Sequence, residues 1–117
     1  LYLGAGSPTY LVNHLRDSLA MSYILGRIRQ GATLCLASAA AISFGAKALP
    51  VYEIFKAGHE PHWTDGLDFF GLFGLELAIV SHWDNSEGGA NLDTSCCFMG
   101  QARMEQLRQM LRILRWK

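Results

Sequence analysis

A chain of 117 residues is long enough for one small domain with a packed core. Half of its residues are apolar and 17% are charged, which excludes a disordered or low-complexity chain. Ten basic side chains balance ten acidic ones, so net charge gives no reason to expect binding to nucleic acid or to an acidic membrane. The longest uncharged stretch, residues 30–46, is shorter than the roughly 20 residues that cross a bilayer. Three cysteines are too few for a disulfide framework, and they favour a reducing, cytoplasmic environment.

The two ends of the sequence resemble interrupted elements. Leu1-Tyr2-Leu3 is apolar, lacks the positive charge of a signal peptide and leads directly into a glycine turn, as the end of a strand does. Trp116-Lys117 continues a periodic helix. We therefore expect residues 1–117 to form a single domain that is an internal part of a longer protein, without the N-terminal strands and the C-terminal part of its fold.

The first third of the chain predicts a loop and two helices. Residues 4–7 are typical of a tight loop, and Pro8 suits the first position of a helix. Asp17-Ser18 offers a second helix start, and Gly31 a stop, so we expect two short helices over residues 9–29. Their apolar side chains recur at helical spacing: Leu11, Val12, Leu15, Leu19, Tyr23 and Ile28.

Two apolar runs predict buried strands. Residues 32–37 (Ala-Thr-Leu-Cys-Leu-Ala) fit a strand buried on both faces, with Cys35 in the core, and residues 38–44 follow as a short helix. Residues 75–80 (Leu-Glu-Leu-Ala-Ile-Val) fit a second such strand. Strand, helices, strand and helix is the alternation of a parallel α/β sheet.

The remaining segments are less regular. Residues 45–74 carry prolines and glycines, with a short strand expected over residues 51–55, and residues 81–95 form a polar loop. From Gly100 onward the sequence predicts an amphipathic helix, whose apolar positions are Met104, Leu107, Leu111 and Leu114. Its basic residues predict a solvated face: Arg103, Arg108, Arg112, Arg115 and Lys117.

Ser38 is the strongest candidate for chemistry. It lies at the carboxyl end of the first predicted strand, and small residues on both sides suit the crowded, strained turn of a nucleophile elbow. The following helix would direct backbone N–H groups towards developing negative charge. Serine is also a good N-cap, so a purely structural role is the alternative at this position.

His82 is the candidate base for that serine. It follows the second predicted strand, and the carboxyl ends of parallel strands meet at one edge of a sheet. A serine hydroxyl needs a base to take its proton, and histidine is the usual one. A loop histidine without a role is the alternative. The other histidines, His14, His59 and His62, do not end a strand.

Two further motifs lack the residues that a cofactor site or a metal site needs. Gly4-Ala5-Gly6 allows a backbone N–H to approach a ligand, but it lacks the third glycine of a dinucleotide motif and the lysine of a phosphate loop. Cys96-Cys97 has no second pair at metal-ligand spacing. We therefore expect neither a cofactor nor a metal.

The order and spacing of three segments resemble peptidase family S51, which contains dipeptidase E and cyanophycinase and has the class I glutamine amidotransferase-like fold. Residues 4–9 (Gly-Ala-Gly-Ser-Pro-Thr) resemble its Gly-Gly-Asn loop. Residues 31–41 resemble its nucleophile strand and elbow, and residues 63–67 with 79–83 the segment leading to its histidine. The sequence departs from the family at Ser7, usually Asn, and at Leu36 and Ala40, usually glycine.

The resemblance implies a fold and a set of site residues. The fold would be a three-layer, flavodoxin-like parallel α/β sheet, present here as a partial domain. Ser38 would be the nucleophile and His82 the base, and the N–H of Ala39, with that of Ala5 or Gly6, would form the oxyanion hole.

The acidic partner of the histidine would fall beyond Lys117 in this family. Asp84, Glu87 and Asp93 are nearby acidic residues that can stand in for it. The nucleophile position holds serine rather than cysteine, which argues against a glutaminase of the amidotransferase kind.

The function implied is hydrolysis of a small peptide or peptide-like amide through an acyl-serine intermediate. Two alternatives remain open: a non-catalytic member of the same fold that binds a small molecule or a partner, and a flavodoxin-type binding domain without serine chemistry. The sequence does not determine the substrate or the oligomeric state.

Overall fold

The structure, a computed structural model, describes residues 1–113. Its helices are α1 (Pro8–Leu15), α2 (Leu19–Arg29), α3 (Ala39–Ser43), α4 (Val51–Phe55) and α5 (Gly100–Ile113), with a 3₁₀ helix at Phe69–Phe73. Its strands are β1 (Tyr2–Leu3), β2 (Cys35–Leu36), β3 (Lys47–Ala48) and β4 (Thr64–Asp65). Across these residues, no helix has the length and apolarity needed to span a membrane.

The first two helices begin at serine caps. The Ser7 hydroxyl accepts a hydrogen bond from the Tyr10 N–H (3.2 Å), and the Ser18 hydroxyl accepts one from the Met21 N–H (3.0 Å). Gly31, just after α2, has a φ of 94°, a conformation that glycine adopts without strain. The two predicted helices are therefore confirmed.

A short parallel pair of strands aligns the start of the chain with the segment that leads to Ser38. Strand β1 pairs with β2 in the register Tyr2↔Cys35. The Cys35 N–H donates to the Leu1 carbonyl (2.8 Å), and the Ala37 N–H donates to the Leu3 carbonyl (3.0 Å). Because the strands are parallel, the loop after β1 and the turn after β2 lie at the same edge.

The prediction that residues 32–37 form a strand buried on both faces is wrong. Only Cys35–Leu36 is a strand, and its residues alternate between exposed and half-buried. Cys35 is exposed, so its predicted place in the core is also wrong. The described residues give this strand one neighbour, β1. Of residues 32–37, only Leu34 and Leu36 pack against the hydrophobic cluster that contains Phe44 and Phe69. The apolar run therefore has one packed side.

The prediction of a second buried strand over residues 75–80 is also wrong. Its only ladder contact in the described part of the chain is an isolated parallel bridge between Ala78 and Lys47. Leu75 and Leu77 are exposed. The Ala46 N–H donates to the Leu77 carbonyl (2.7 Å), so this segment still runs beside β3 on its way to His82.

Residues 51–55 form helix α4 rather than the expected strand. Pro50 precedes the helix, where its missing N–H costs no helical hydrogen bond. Val51 and Ile54 are buried at a helical spacing of three residues. The alternation of apolar and polar residues here is too short to distinguish the two periods.

Two hydrophobic clusters meet at α3. One contains Ile42 of α3 with Ile54 of α4 and two predicted residues of α5, Met104 and Leu107. Phe44, directly after α3, belongs to the other cluster, whose buried members also include Leu15, Ile24 and Phe69. The α5 predictions at Leu114, Arg115 and Lys117 lie outside the described residues.

The described residues form two sheets of two strands each, β1–β2 and β3–β4. The first is parallel and the second is antiparallel. The three-layer, flavodoxin-like arrangement therefore stays a prediction.

Residues 66–69 run along the end of α3 through four backbone hydrogen bonds. Gly66 N–H donates to the Ala46 carbonyl (2.9 Å) and Leu67 N–H to the Ser43 carbonyl (2.8 Å). A Cβ atom on Gly66 would collide with the backbone of Gly45. Only glycine fits this close approach.

We expect Gly66→Ala to lower the free energy of unfolding by at least about 2 kcal/mol, because the collision is with backbone rather than with a flexible side chain. Gly26→Ala is the matched control: Gly26 lies within α2 with open space around it, and the added methyl should stabilise the protein by about 0.5–1 kcal/mol. Urea denaturation of both variants checks this. Equal stability of Gly66→Ala and the wild type would contradict the described approach.

Candidate active site

Ser38 occupies the turn between β2 and α3 in a strained conformation. Its φ is 56° and its ψ is −117°, a combination that residues with a side chain rarely adopt. Its side chain makes no capping hydrogen bond to α3. The backbone strain predicted for a nucleophile elbow is confirmed, and side-chain capping, the alternative for Ser38, is absent.

The Ser38 hydroxyl is bonded to His82 instead. The Ser38 Oγ lies 2.7 Å from the His82 Nε2, across 44 residues of sequence. The predicted proximity of the two side chains is therefore confirmed. A neutral imidazole protonated at Nδ1 presents Nε2 as an acceptor, so the serine hydroxyl is the donor in that tautomer.

His82 is held in place through its backbone. Its carbonyl accepts hydrogen bonds from the N–H groups of Cys97 (3.1 Å) and Asn85 (3.3 Å). The neighbouring Trp83 carbonyl accepts one from the Cys96 N–H (2.8 Å). His82 itself has a φ of 51°, in the left-handed region, which turns the chain at this point. The imidazole position therefore depends on the segment around residues 96–97.

The acidic residues near His82 do not support its ring. Within residues 1–113, no carboxylate is hydrogen-bonded to His82. The Asp93 carboxylate accepts bonds from the N–H and hydroxyl of Ser95 and from the Gln101 N–H at the start of α5. These bonds, that from the Ser95 hydroxyl first, hold the Asp93 pKa below its ordinary value. Asp93 is therefore a helix cap.

Three backbone groups suited to an oxyanion border the same cleft as Ser38 and His82. They belong to Ala39, at the first position of α3, and to Ala5 and Gly6, in the loop after β1. Inside the described range, the N–H groups of these three residues donate to no protein acceptor. Donors at a helix start and in a glycine loop favour negative charge. The oxyanion hole at these three residues stays a prediction.

The cleft has a volume of about 220 Å³ and walls that are mostly apolar. Its lining comprises Ala5, Gly6, Pro8, Ser38, Ala39, Ile42, Val51, Tyr52, His82, Asn85, Glu87, Cys97 and Phe98. This volume is small for a ligand pocket, which suits one side chain or a short acyl group.

Sequence patterns do not predict part of the cleft lining. Val51 and Tyr52 were assigned to a strand, and they reach the cleft because the segment is helical. Asn85 and Glu87 come from the polar loop, where only the Asn-Ser-Glu-Gly turn sequence marked a defined geometry.

Cys97 also lines the cleft, and its thiol is buried. It is 2% exposed, and this burial raises the pKa of the thiol above its ordinary value, an effect that the Ser81 hydroxyl partly opposes. A thiol that stays protonated at neutral pH is a poor nucleophile. The described residues contain no cluster of side chains able to hold a metal ion.

Comparison with known proteins finds no match for this chain among protein-family models, curated proteins or solved structures.

Ser38→Gly should be more stable than Ser38→Ala by about 1 kcal/mol, because glycine relieves the strained backbone and alanine retains it. Both variants lose the hydrogen bond to His82, so that loss cancels in the comparison. Chemical denaturation of the two variants measures the difference. A less stable Ser38→Gly would show that the turn is not strained.

Asp93→Asn should destabilise the protein at neutral pH, with a difference from the wild type that shrinks in acid. The folded-state pKa of Asp93 is lowered, so its stabilising effect is present above the unfolded-state pKa and is lost as the pH falls through the folded value. Melting temperatures at about pH 7 and about pH 3 test this. A constant difference would exclude the charged cap; Asp17→Asn, an exposed aspartate after α1, is the control.

Proposed function

We propose that this chain carries the nucleophile and base of a serine hydrolase that cleaves a peptide or peptide-like amide. The observation that carries the proposal is the 2.7 Å hydrogen bond between Ser38 Oγ and His82 Nε2, made by a serine with a strained backbone. A serine that only capped α3 would have neither feature. This combination supports an activated hydroxyl.

In the first half of the reaction, the Ser38 Oγ attacks the carbonyl carbon of the amide. A carbon–oxygen bond forms, the hydroxyl proton moves to His82 Nε2, and the carbonyl electron pair moves onto oxygen. The N–H groups of Ala39 and of Ala5 or Gly6 would receive that oxyanion. The intermediate then collapses, the carbon–nitrogen bond breaks, and His82 gives its proton to the leaving amine.

In the second half, water releases the acyl group. His82 takes a proton from a water molecule as the water oxygen attacks the carbonyl carbon of the acyl-serine ester. The carboxylic acid product is released as His82 returns the proton to Ser38 Oγ. The cycle balances without a metal or a cofactor. An acidic group on His82 Nδ1 would strengthen the base by fixing its tautomer.

The sequence resemblance supports the choice of an amide substrate. The loop at residues 4–9, the elbow at residues 31–41 and the segment ending at His82 occur in the order found in peptidase family S51. We include in the proposal that family's fold, with its three-layer sheet, and a cytoplasmic location, which the sparse, odd number of cysteines favours.

One observation favours a second candidate function. No carboxylate among residues 1–113 is bonded to His82, so the described residues do not give the imidazole the support of a full triad. A non-catalytic cleft that binds a small molecule or a partner would need no such support. The reactivity of Ser38 separates the two functions.

The purified protein should react with a fluorophosphonate probe at Ser38, because the attack on phosphorus needs only an activated hydroxyl and an oxyanion hole. Ser38→Ala should abolish labelling, and His82→Ala should slow it by at least about 100-fold. The labelling rate is followed by gel fluorescence, and the modified residue is identified by mass spectrometry.

Two control variants test whether the reaction is specific to the pair. Ser22 lies exposed on α2 with its hydroxyl bonded to a backbone carbonyl, and the exposed His14 is bonded to the Tyr10 carbonyl. Ser22→Ala and His14→Ala should label like the wild type. A folded wild-type protein that stays unlabelled would reject the hydrolase and leave the binding cleft.

A further inference from the structure

The charge in the cleft comes from one side chain, Glu87. Among the residues that line the cleft, Glu87 has the only carboxyl group, and the lining contains neither lysine nor arginine. Within the described residues, its carboxylate has neither an ion-pair partner nor a hydrogen-bond donor; the single ion pair found there joins Lys47 and Asp65. Within residues 1–113, no cation is paired with the negative charge that Glu87 brings to the cleft.

The backbone holds Glu87 at the mouth of the cleft. The Asn85 side-chain oxygen accepts a hydrogen bond from the Glu87 N–H (3.0 Å). The next N–H, that of Gly88, donates to the hydroxyl of the buried Thr94 (2.9 Å). The Asn85 N–H in turn donates to the His82 carbonyl. The loop that positions the base thus also positions the carboxylate.

The nearby cations are directed elsewhere. The Arg103 guanidinium donates to the carbonyls of Met99 and Phe98. The Lys56 ammonium lies over the Tyr52 ring, 5.0 Å from its centre. Neither side chain lines the cleft, so neither neutralises Glu87 within it.

We propose that the cleft selects an acyl group whose side chain has an apolar stem and a positive charge at its end. Ile42, Val51 and Phe98 would contact the stem, and the Glu87 carboxylate would pair with the charge. Lysine-like and arginine-like side chains have this form. The inference rests on the proposed function, because only a hydrolase would form an acyl group from the selected residue. Its test measures binding, which requires no turnover.

Three matched ligands test the charge preference: the N-acetyl methylamides of lysine, norleucine and glutamate. They share a blocked backbone and differ in the charge of the side chain. Dissociation constants are measured by calorimetry or NMR titration on Ser38→Ala, which cannot hydrolyse them. Since Glu87 is exposed, the lysine ligand should bind about threefold to tenfold tighter than norleucine, and the glutamate ligand should bind most weakly.

Glu87→Gln, combined with Ser38→Ala, should remove the preference and retain norleucine binding. Glu105→Gln is the matched control, because Glu105 is an exposed residue of α5 that does not line the cleft; it should keep the preference. Circular dichroism confirms that each variant is folded. Equal binding of the three ligands, binding of none, or a preference that survives Glu87→Gln would overturn the inference.

The two proposals fail in distinguishable ways. A protein that prefers the lysine ligand but resists fluorophosphonate supports the cation-binding role of Glu87 and rejects the hydrolase. A protein that is labelled at Ser38 but shows no charge preference retains the hydrolase and rejects the role of Glu87.

Discussion

The hydrogen bonds around the end of α3 connect this helix to α1 and to residues 66–69. The carbonyls of Ser43, Phe44, Gly45 and Ala46 each accept a backbone N–H from residues 66–69. The buried Ser43 hydroxyl lies within hydrogen-bond distance of the carbonyls of Pro8 and Ala39. Because burial without partners would cost each of these polar groups free energy, α3 has one position relative to α1 and to the segment before the 3₁₀ helix. Ser38, one residue before α3, has its position fixed by the same bonds.

The features that the sequence predicted are those with local causes. The helices at Pro8–Leu15 and Leu19–Arg29 follow from serine caps, a proline and a glycine, each of which acts on its own neighbours. Ser38 was identified because small residues surround it. Its strained backbone follows from the turn between a strand and a helix, which a sequence pattern can indicate.

The sequence indicates His82 because it follows the predicted strand over residues 75–80, and the structure supports this reason only in part. Residues 75–80 are not a buried strand, yet the single bridge between Ala78 and Lys47 is parallel and carries the chain in the expected direction. The apolar residues were assumed to be covered on both sides, which depends on neighbours that a local pattern does not specify. The sequence patterns do not predict the part of the cleft wall at Asn85 and Phe98, because loop contacts over long sequence distances have no period.

The bond between Ser38 and His82 joins positions 44 residues apart, and this separation has a consequence for folding. Bringing the two side chains together requires closing a long loop, which costs conformational entropy. Only contacts that also form late in folding offset this cost. An incompletely folded chain therefore lacks the bond between Ser38 and His82, which arises only with the finished tertiary structure. The geometry of the pair and the native packing are in this way gained and lost together.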